Sequence, residues 1–367
     1  MPLPLQPTPL SREQLDSNFA VASSGENLKW YDARQLQVIG QGWTPEVLEE
    51  PFARLPARAK GVVRDPVWQL SRHSAGIEIR FSTDSDQISL NWTVVNPDLA
   101  MDHMPATGVS GLDLYVKYQN QWKWLAVGRA TKSPTNNVKV IEKIPKQGMR
   151  DYRLYLPLYN GIQSLQIGVS QEATFHSIPS ATVRPIVVYG SSIVQGGCAS
   201  RPGMTYPALL GRWLNVPVIN LGFSGNGQAE PEVAQLLAEL DPQVFVLDTL
   251  PNIQAPEVLE RVGPLIAIIR KKHPKTPLVM VESITYQNTF IQDIQTTRPY
   301  LSNQAFQSVV KPLMATDDAI HYVPGDLLLG EDGEGTVDGV HPTDLGFLRM
   351  AQGLAPVIAP LLQSTEI

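Results

Sequence analysis

The chain has 367 residues, 43% hydrophobic and 17% charged, with a formal net charge of −6. That length exceeds what one ordinary core organises, and the composition is that of a folded chain, so two domains are expected and disorder is not. The acidic balance and lack of a dense Lys/Arg run argue against nucleic acid or an anionic membrane surface as partner. No run of 18 apolar residues offers a membrane span, and a single cysteine, Cys198, excludes an internal disulfide and a Cys-based metal cluster.

Residues 1–27 read as an N-terminal extension. Their start, MPLPLQPTPLSREQ, holds no continuous apolar signal-peptide stretch. A cytoplasmic location is expected if the chain begins there, a periplasmic or secreted one if a leader has been removed.

From 28 to 180 short runs alternate apolar with polar residues, as half-buried strands do. Ile77–Phe81, Ile88–Trp92, Leu112–Val116, Trp122–Val127 and Ser164–Val169 each follow period two. Strands in series without helical periodicity between them predict an antiparallel β-sandwich of jelly-roll type. Trp68, Trp92, Trp122 and Trp124 are expected to fill its core, one or two of them offering a carbohydrate platform instead.

From 181 to 367 the texture changes. Pro185–Tyr189, Val216–Leu221, Val244–Leu247 and Leu278–Val281 are nearly continuous apolar runs, with helical stretches between them at Glu232–Leu240 and Pro256–Lys272. A fifth strand near Ala319–Val323 and a last helix from Thr343 complete the pattern. Strands buried on both faces lose alternation, so this half predicts an α/β, doubly wound parallel sheet, whose ligands sit beyond the carboxyl ends of its strands.

Four loops fall at that edge. Gly190-Ser191-Ser192-Ile193 follows the first strand, where a serine at a strand-to-helix turn has backbone N–H groups beside it. Asn220-Leu221-Gly222-Phe223-Ser224-Gly225-Asn226-Gly227 follows the second, its glycines permitting close approach of a ligand. Asp248-Thr249-Leu250-Pro251-Asn252 follows the third and brings an amide donor. Asp338-Gly339-Val340-His341 precedes the last helix, and an aspartate three residues before a histidine can hold Nδ1–H and leave Nε2 as a base.

Taken in order, these blocks resemble those of the SGNH/GDSL hydrolases, and Gly111-Leu112-Asp113-Leu114-Tyr115 is similar to the G-x-D-L-Y signature of a β-domain preceding one branch of them. The resemblance implies a flavodoxin-like hydrolase domain over 181–367 behind a β-sandwich accessory domain over 28–180. It implies a catalytic triad of Ser192, His341 and Asp338, with an oxyanion hole of the Ser192 N–H, the Gly225 N–H and the Asn252 amide. The pattern departs at Leu250 and Ile253, which flank Asn252, and at Ser191 before the nucleophile.

Asp102-His103-Met104-Pro105, in a loop ahead of the G-x-D-L-Y strand, is a candidate roof for the acyl pocket, so His103 and Met104 join Ser191 and Asp248 as pocket candidates. Asp248 is expected to hydrogen-bond loop backbone, and Cys198 to be a small buried hydrophobe. His73, His176, His273 and His321 lack the pair spacing of metal ligands, so no metal and no cofactor is expected. The expected activity is hydrolysis of small acyl esters, O-acetyl groups on carbohydrate first, through an acyl-Ser192 intermediate. An acyltransferase with the same triad, a short-chain lipid or aryl esterase, and a non-enzymatic binding protein stay open, as does the oligomeric state.

Overall fold

The computed structural model describes residues 20–22, 27–146, 148–179, 183–326 and 328–362. The extension read over 1–27 lies outside them except for the strand Ala20–Ala22 and residue 27, and so does the division drawn at 180/181.

The alternating runs form two antiparallel sheets. One is ordered Ala20–Ala22, Leu28–Asp32, Ile162–Ser170, Ile88–Val94, Thr135–Ile141. The other runs Phe175–Ser177, Glu78–Thr83, Arg150–Tyr155, Leu112–Tyr118, Gln121–Gly128, with Gln37–Ile39 also pairing to Glu78–Thr83. Every second residue points inward, so Ile88, Leu90 and Trp92 of the first meet Ile79, Phe81, Leu112, Leu114 and Leu154 of the second in one core.

Of the four tryptophans expected there, Trp92 alone belongs to it. Trp68 sits on a short helix, Asp65–Ser71, and packs with Leu55, Val63 and Val67 against the parallel sheet. Trp122 is half-buried and Trp124 is 49% exposed. The cause is a bulge: Leu114 pairs with Ala126 but Tyr115 with Trp124, leaving Leu125 as an extra residue. One inserted residue turns the side chains on either side of it to opposite faces, which period-two reading cannot register.

The second half is the expected parallel sheet, ordered Val218–Gly222, Ile186–Gly190, Val244–Asp248, Leu278–Val281, Ile320–Val323. In chain order this is 2-1-3-4-5, the flavodoxin-like arrangement. Its central strands are buried at each residue because both faces are covered. Val187 and Tyr189 face the helices Pro231–Leu237, Ala255–Lys272 and Arg298–Met314. Ile186 and Val188 face Tyr206–Trp213 and Asp344–Ile358. Side chains on both faces need apolar partners, and alternation disappears for that reason.

The G-x-D-L-Y strand is where the antiparallel part grips the parallel part. Asp113 is fully buried and accepts from Arg201 Nη1 (2.8 Å), the Gly203 N–H (2.8 Å) and Trp124 Nε1 (2.9 Å). Tyr115 Oη also accepts from Arg201 (2.5 Å). Arg201 and Gly203 lie just beyond the serine-bearing turn, so the motif ties the accessory sheets to the loop leading out of the candidate site.

Candidate active site

The strand Ile186–Gly190 ends where its neighbour crowds it. A Cβ at Gly190 would lie 1.9 Å from the Asp248 carbonyl oxygen, so only glycine lets the chain turn there. Ser191 then caps a single helical turn, Ser192–Gln195, its Oγ accepting the Ile193 N–H (3.2 Å). It is wholly buried, hence a cap and not a pocket wall. Ser192 follows at the first helical position, 6% exposed.

Its Oγ lies 2.9 Å from His341 Nε2, and His341 Nδ1 lies 2.7 Å from Asp338 Oδ2. Asp338 Oδ1 accepts the backbone N–H groups of His341 (2.7 Å) and Val340 (3.0 Å), which fold the loop back on itself. Partial burial works to raise the Asp338 carboxyl, but the N–H groups and ring of His341 outweigh it and hold it down to about 2. A carboxylate offers only lone pairs, so the ring proton sits on Nδ1 and Nε2 is left to accept from the serine.

The candidate oxyanion donors sit at the same edge. Within the second loop the Ser224 N–H goes to Gln195 Oε1 (2.9 Å), that of Asn226 to the Phe223 carbonyl (2.8 Å) and that of Gly227 to Asn252 Oδ1 (3.0 Å). The N–H groups of Ser192 and Gly225 have no such partner among the described residues. Gly225 stands at φ 68°, a left-handed conformation that suits glycine. Because its Oδ1 is engaged by Gly227, the Asn252 amide is oriented with Nδ2 free to donate. The departures beside it point inward: Leu250 and Ile253 are buried in the core of the sheet's more heavily covered face.

Asp248 needs a correction. Among the described residues its carboxylate bonds no loop backbone; Oδ2 accepts from the Tyr206 hydroxyl (3.0 Å) in the interior. Burial pushes it up to about 7, against the pull of that hydroxyl. The residue is buried at the end of its strand, 2% exposed. The folded chain therefore holds a proton on Asp248 that the unfolded chain releases near pH 4, and this stabilisation fades as pH rises from about 4 to about 7. Asp248→Asn should remove that fall. Its Tm at pH 8 relative to pH 4 should exceed the wild-type difference by an amount equivalent to about 4 kcal/mol. Parallel Tm–pH curves for the two proteins would refute it.

The loop 101–104 does reach the site. The His103 and His341 ring centroids are 5.8 Å apart, and Met104 is buried in the core beside Ile193 and Val194. Cys198 is buried as expected, its thiol pushed up to about 12 by desolvation and then by Asp338, which leaves it a poor nucleophile. Three ligand-type atoms, from His103, Cys198 and His341, lie within 4.8 Å of one another, a grouping that sequence spacing did not disclose.

Two buried residues escaped the sequence reading. Gln195 ends the serine-bearing turn and orients the second loop through Ser224; its Nε2 donates to the Leu158 carbonyl (3.0 Å) and to His73 Nδ1 (3.1 Å). Desolvation, with Arg54 and Arg72 nearby, lowers His73 to about 3, so it is the neutral acceptor this contact needs. Arg54 is fully buried and donates to the carbonyls of Gly222 (2.6 Å), Asn220 (3.2 Å), His73 (2.8 Å) and Leu70 (2.6 Å), with burial lowering it to about 9. No local motif marks either residue, because each acts on segments far away in the chain.

With this geometry in place, the similarities to known proteins are consistent with it. Residues 183–359 match the family model of the GDSL-like lipase/acylhydrolase family, and residues 28–175 match GxDLY, the N-terminus of SGNH-hydrolase-type esterases. The chain belongs to the GDSL/SGNH hydrolase family, in the branch with the G-x-D-L-Y domain. A solved GDSL-like lipase structure from Bacteroides ovatus is 35% identical, with 91% of this chain and 98% of that one covered and a TM-score of 0.85. A salicylyl-acyltransferase from a tetracycline biosynthetic pathway shares the fold at 18% identity, 94% and 98% coverage and TM-score 0.67. So does a family two carbohydrate esterase from Clostridium thermocellum, solved with cellohexaose, at 16% identity, 77% and 91% coverage and TM-score 0.55. None of the curated proteins matches the chain.

Proposed function

We propose that the chain is a serine esterase that hydrolyses short-chain O-acyl esters, O-acetyl groups on carbohydrate being the preferred class, through an acyl-Ser192 intermediate. The observation that carries this is the continuous Ser192–His341–Asp338 relay at 2.9 and 2.7 Å, on loops 149 residues apart in sequence. Ser192 Oγ attacks the acyl carbonyl carbon while its proton passes to His341 Nε2. The carbonyl oxygen, now an anion, is held by the Ser192 and Gly225 N–H groups and by Asn252 Nδ2. His341 returns the proton to the departing alcohol oxygen as the C–O bond breaks. A water molecule then repeats the sequence and frees the acid. Asp338, ionised across the working range, keeps the ring oriented and offsets its charge when protonated.

The small acyl group is favoured by the closeness of the His103 ring to that of His341, 5.8 Å between centroids. Carbohydrate is favoured by the cellohexaose-bound neighbour; a separate open cleft of about 1060 Å³, lined by Trp122, Trp124, Trp213, Lys123 and Arg201 and by none of the relay residues, offers a further face for a sugar chain. Trp124 and Trp213 are 49% and 45% exposed there, and flat indole faces of this kind stack on sugar rings. The test is a panel of acetylated oligosaccharides set beside acetyl to octanoyl p-nitrophenyl esters. Acetyl release from the sugars is expected to give the highest kcat/KM. A preference for octanoyl esters with no sugar deacetylation would replace this reading by that of a lipid esterase. Transfer to an added alcohol in place of acid release would make the chain an acyltransferase.

A further inference from the structure

We propose that His103, Cys198 and His341 form a zinc site at the mouth of the active site, and that the metal switches the enzyme off by occupying the imidazole that serves Ser192. This rests on the esterase reading for its effect on turnover, but not for the binding itself.

One thiol sulfur and two imidazole nitrogens, all within 4.8 Å of one another, are the ligand set of a borderline-soft cation. Zinc takes such sets as three protein ligands with a fourth position for water. Zn–S and Zn–N bonds of about 2.3 and 2.0–2.1 Å place tetrahedral ligand atoms roughly 3.5 Å apart, so closure asks for movements on the order of 1 Å. The parts are arranged to allow it. His103 is exposed and no hydrogen bond holds its ring among the described residues, while its neighbour Met104 is buried and fixes the loop. Cys198 stands on a loop pinned two residues later, where the N–H and hydroxyl of Ser200 both donate to Asp344 (2.9 and 2.5 Å).

His341 is prepared as a ligand by the same contact that prepares it as a base. Asp338 takes Nδ1–H at 2.7 Å, leaving Nε2 as the metal-facing nitrogen. A carboxylate behind a zinc-bound histidine orients the ring and raises its basicity. Coordination forms one Zn–S bond as the Cys198 S–H breaks and its proton passes to water. The two imidazoles bind neutral through lone pairs, Ser192 keeps its proton, and nothing is oxidised or reduced. With Nε2 engaged, Ser192 has no base.

Zinc chloride titrated into the full chain against a chelating indicator should show one tight equivalent. p-Nitrophenyl acetate turnover should fall in step and return with EDTA. Cys198→Ser and His103→Ala should each weaken zinc binding by at least about 10–100-fold, each variant's inhibition being compared with its own metal-free rate. The Ser192→Ala chain should bind zinc as tightly as the wild type. No stoichiometric zinc, or undiminished affinity in both Cys198→Ser and His103→Ala, overturns the site. Ser192→Ala also separates the two readings. Turnover surviving in it would sink the esterase assignment with zinc binding intact, whereas lost turnover in a chain that ignores zinc would sink only the metal site.

Discussion

Replacing Ser192 by alanine is expected to lower kcat for p-nitrophenyl acetate by about 10⁴–10⁶-fold, with the melting temperature almost unchanged. The size follows from what is removed. Without Oγ there is no acyl-enzyme route, and what remains is whatever the oxyanion donors give to direct attack by water. Stability should survive because, among the described residues, the Ser192 hydroxyl makes one side-chain hydrogen bond, to His341, while the cap of its helical turn belongs to Ser191. His341→Ala should match this loss, and the double variant should be no worse than either single one, since nucleophile and base act as a unit. Stopped-assay rates with a folding check by circular dichroism decide it. Undiminished turnover in the alanine variant would remove Ser192 from the mechanism.

Asn252→Ala should carry the next largest effect, about 10²–10³-fold in kcat with KM changed far less. The donor matters most when the carbonyl oxygen becomes an anion, so its loss weakens the transition state more than the bound ester. A purely structural role would produce a different pattern. Asn252 Oδ1 accepts the Gly227 N–H at 3.0 Å, and alanine orphans that group as well. Asn252→Asp separates the two roles, because a carboxylate oxygen still accepts from Gly227 while the Nδ2 donor is gone. The aspartate variant should be as slow as the alanine one. If it recovers wild-type kcat, Asn252 supports the loop and does not touch the oxyanion.

The class of fold was legible in the chain, and so were the loops that carry the serine, histidine and aspartate proposed to act together. Period-two runs, continuous apolar runs and Gly-rich turns are local properties, each set by neighbours a few residues away. The three side chains proposed as the triad fall together because the doubly wound topology brings every strand-end loop to one edge, so that reading four loops was nearly reading one surface. What failed also had a local cause outside the reach of periodicity. The extra residue Leu125 turned Trp122 and Trp124 out of the core, and Trp68 sits on a helix laid against the parallel sheet.

Sequence by itself settled the two textures, the order of the four blocks and the G-x-D-L-Y strand, because hydrophobic pattern and turn chemistry are carried by adjacent residues. Tertiary structure decided the rest. It placed His103 and Cys198 beside His341, gave Asp113 its grip on Arg201, and buried Gln195, His73 and Arg54 as supports under the second loop. Each of these contacts joins segments far apart in the chain, and each depends on burial. A desolvated charge or amide must find partners wherever the fold puts them, and only the packed chain determines where that is.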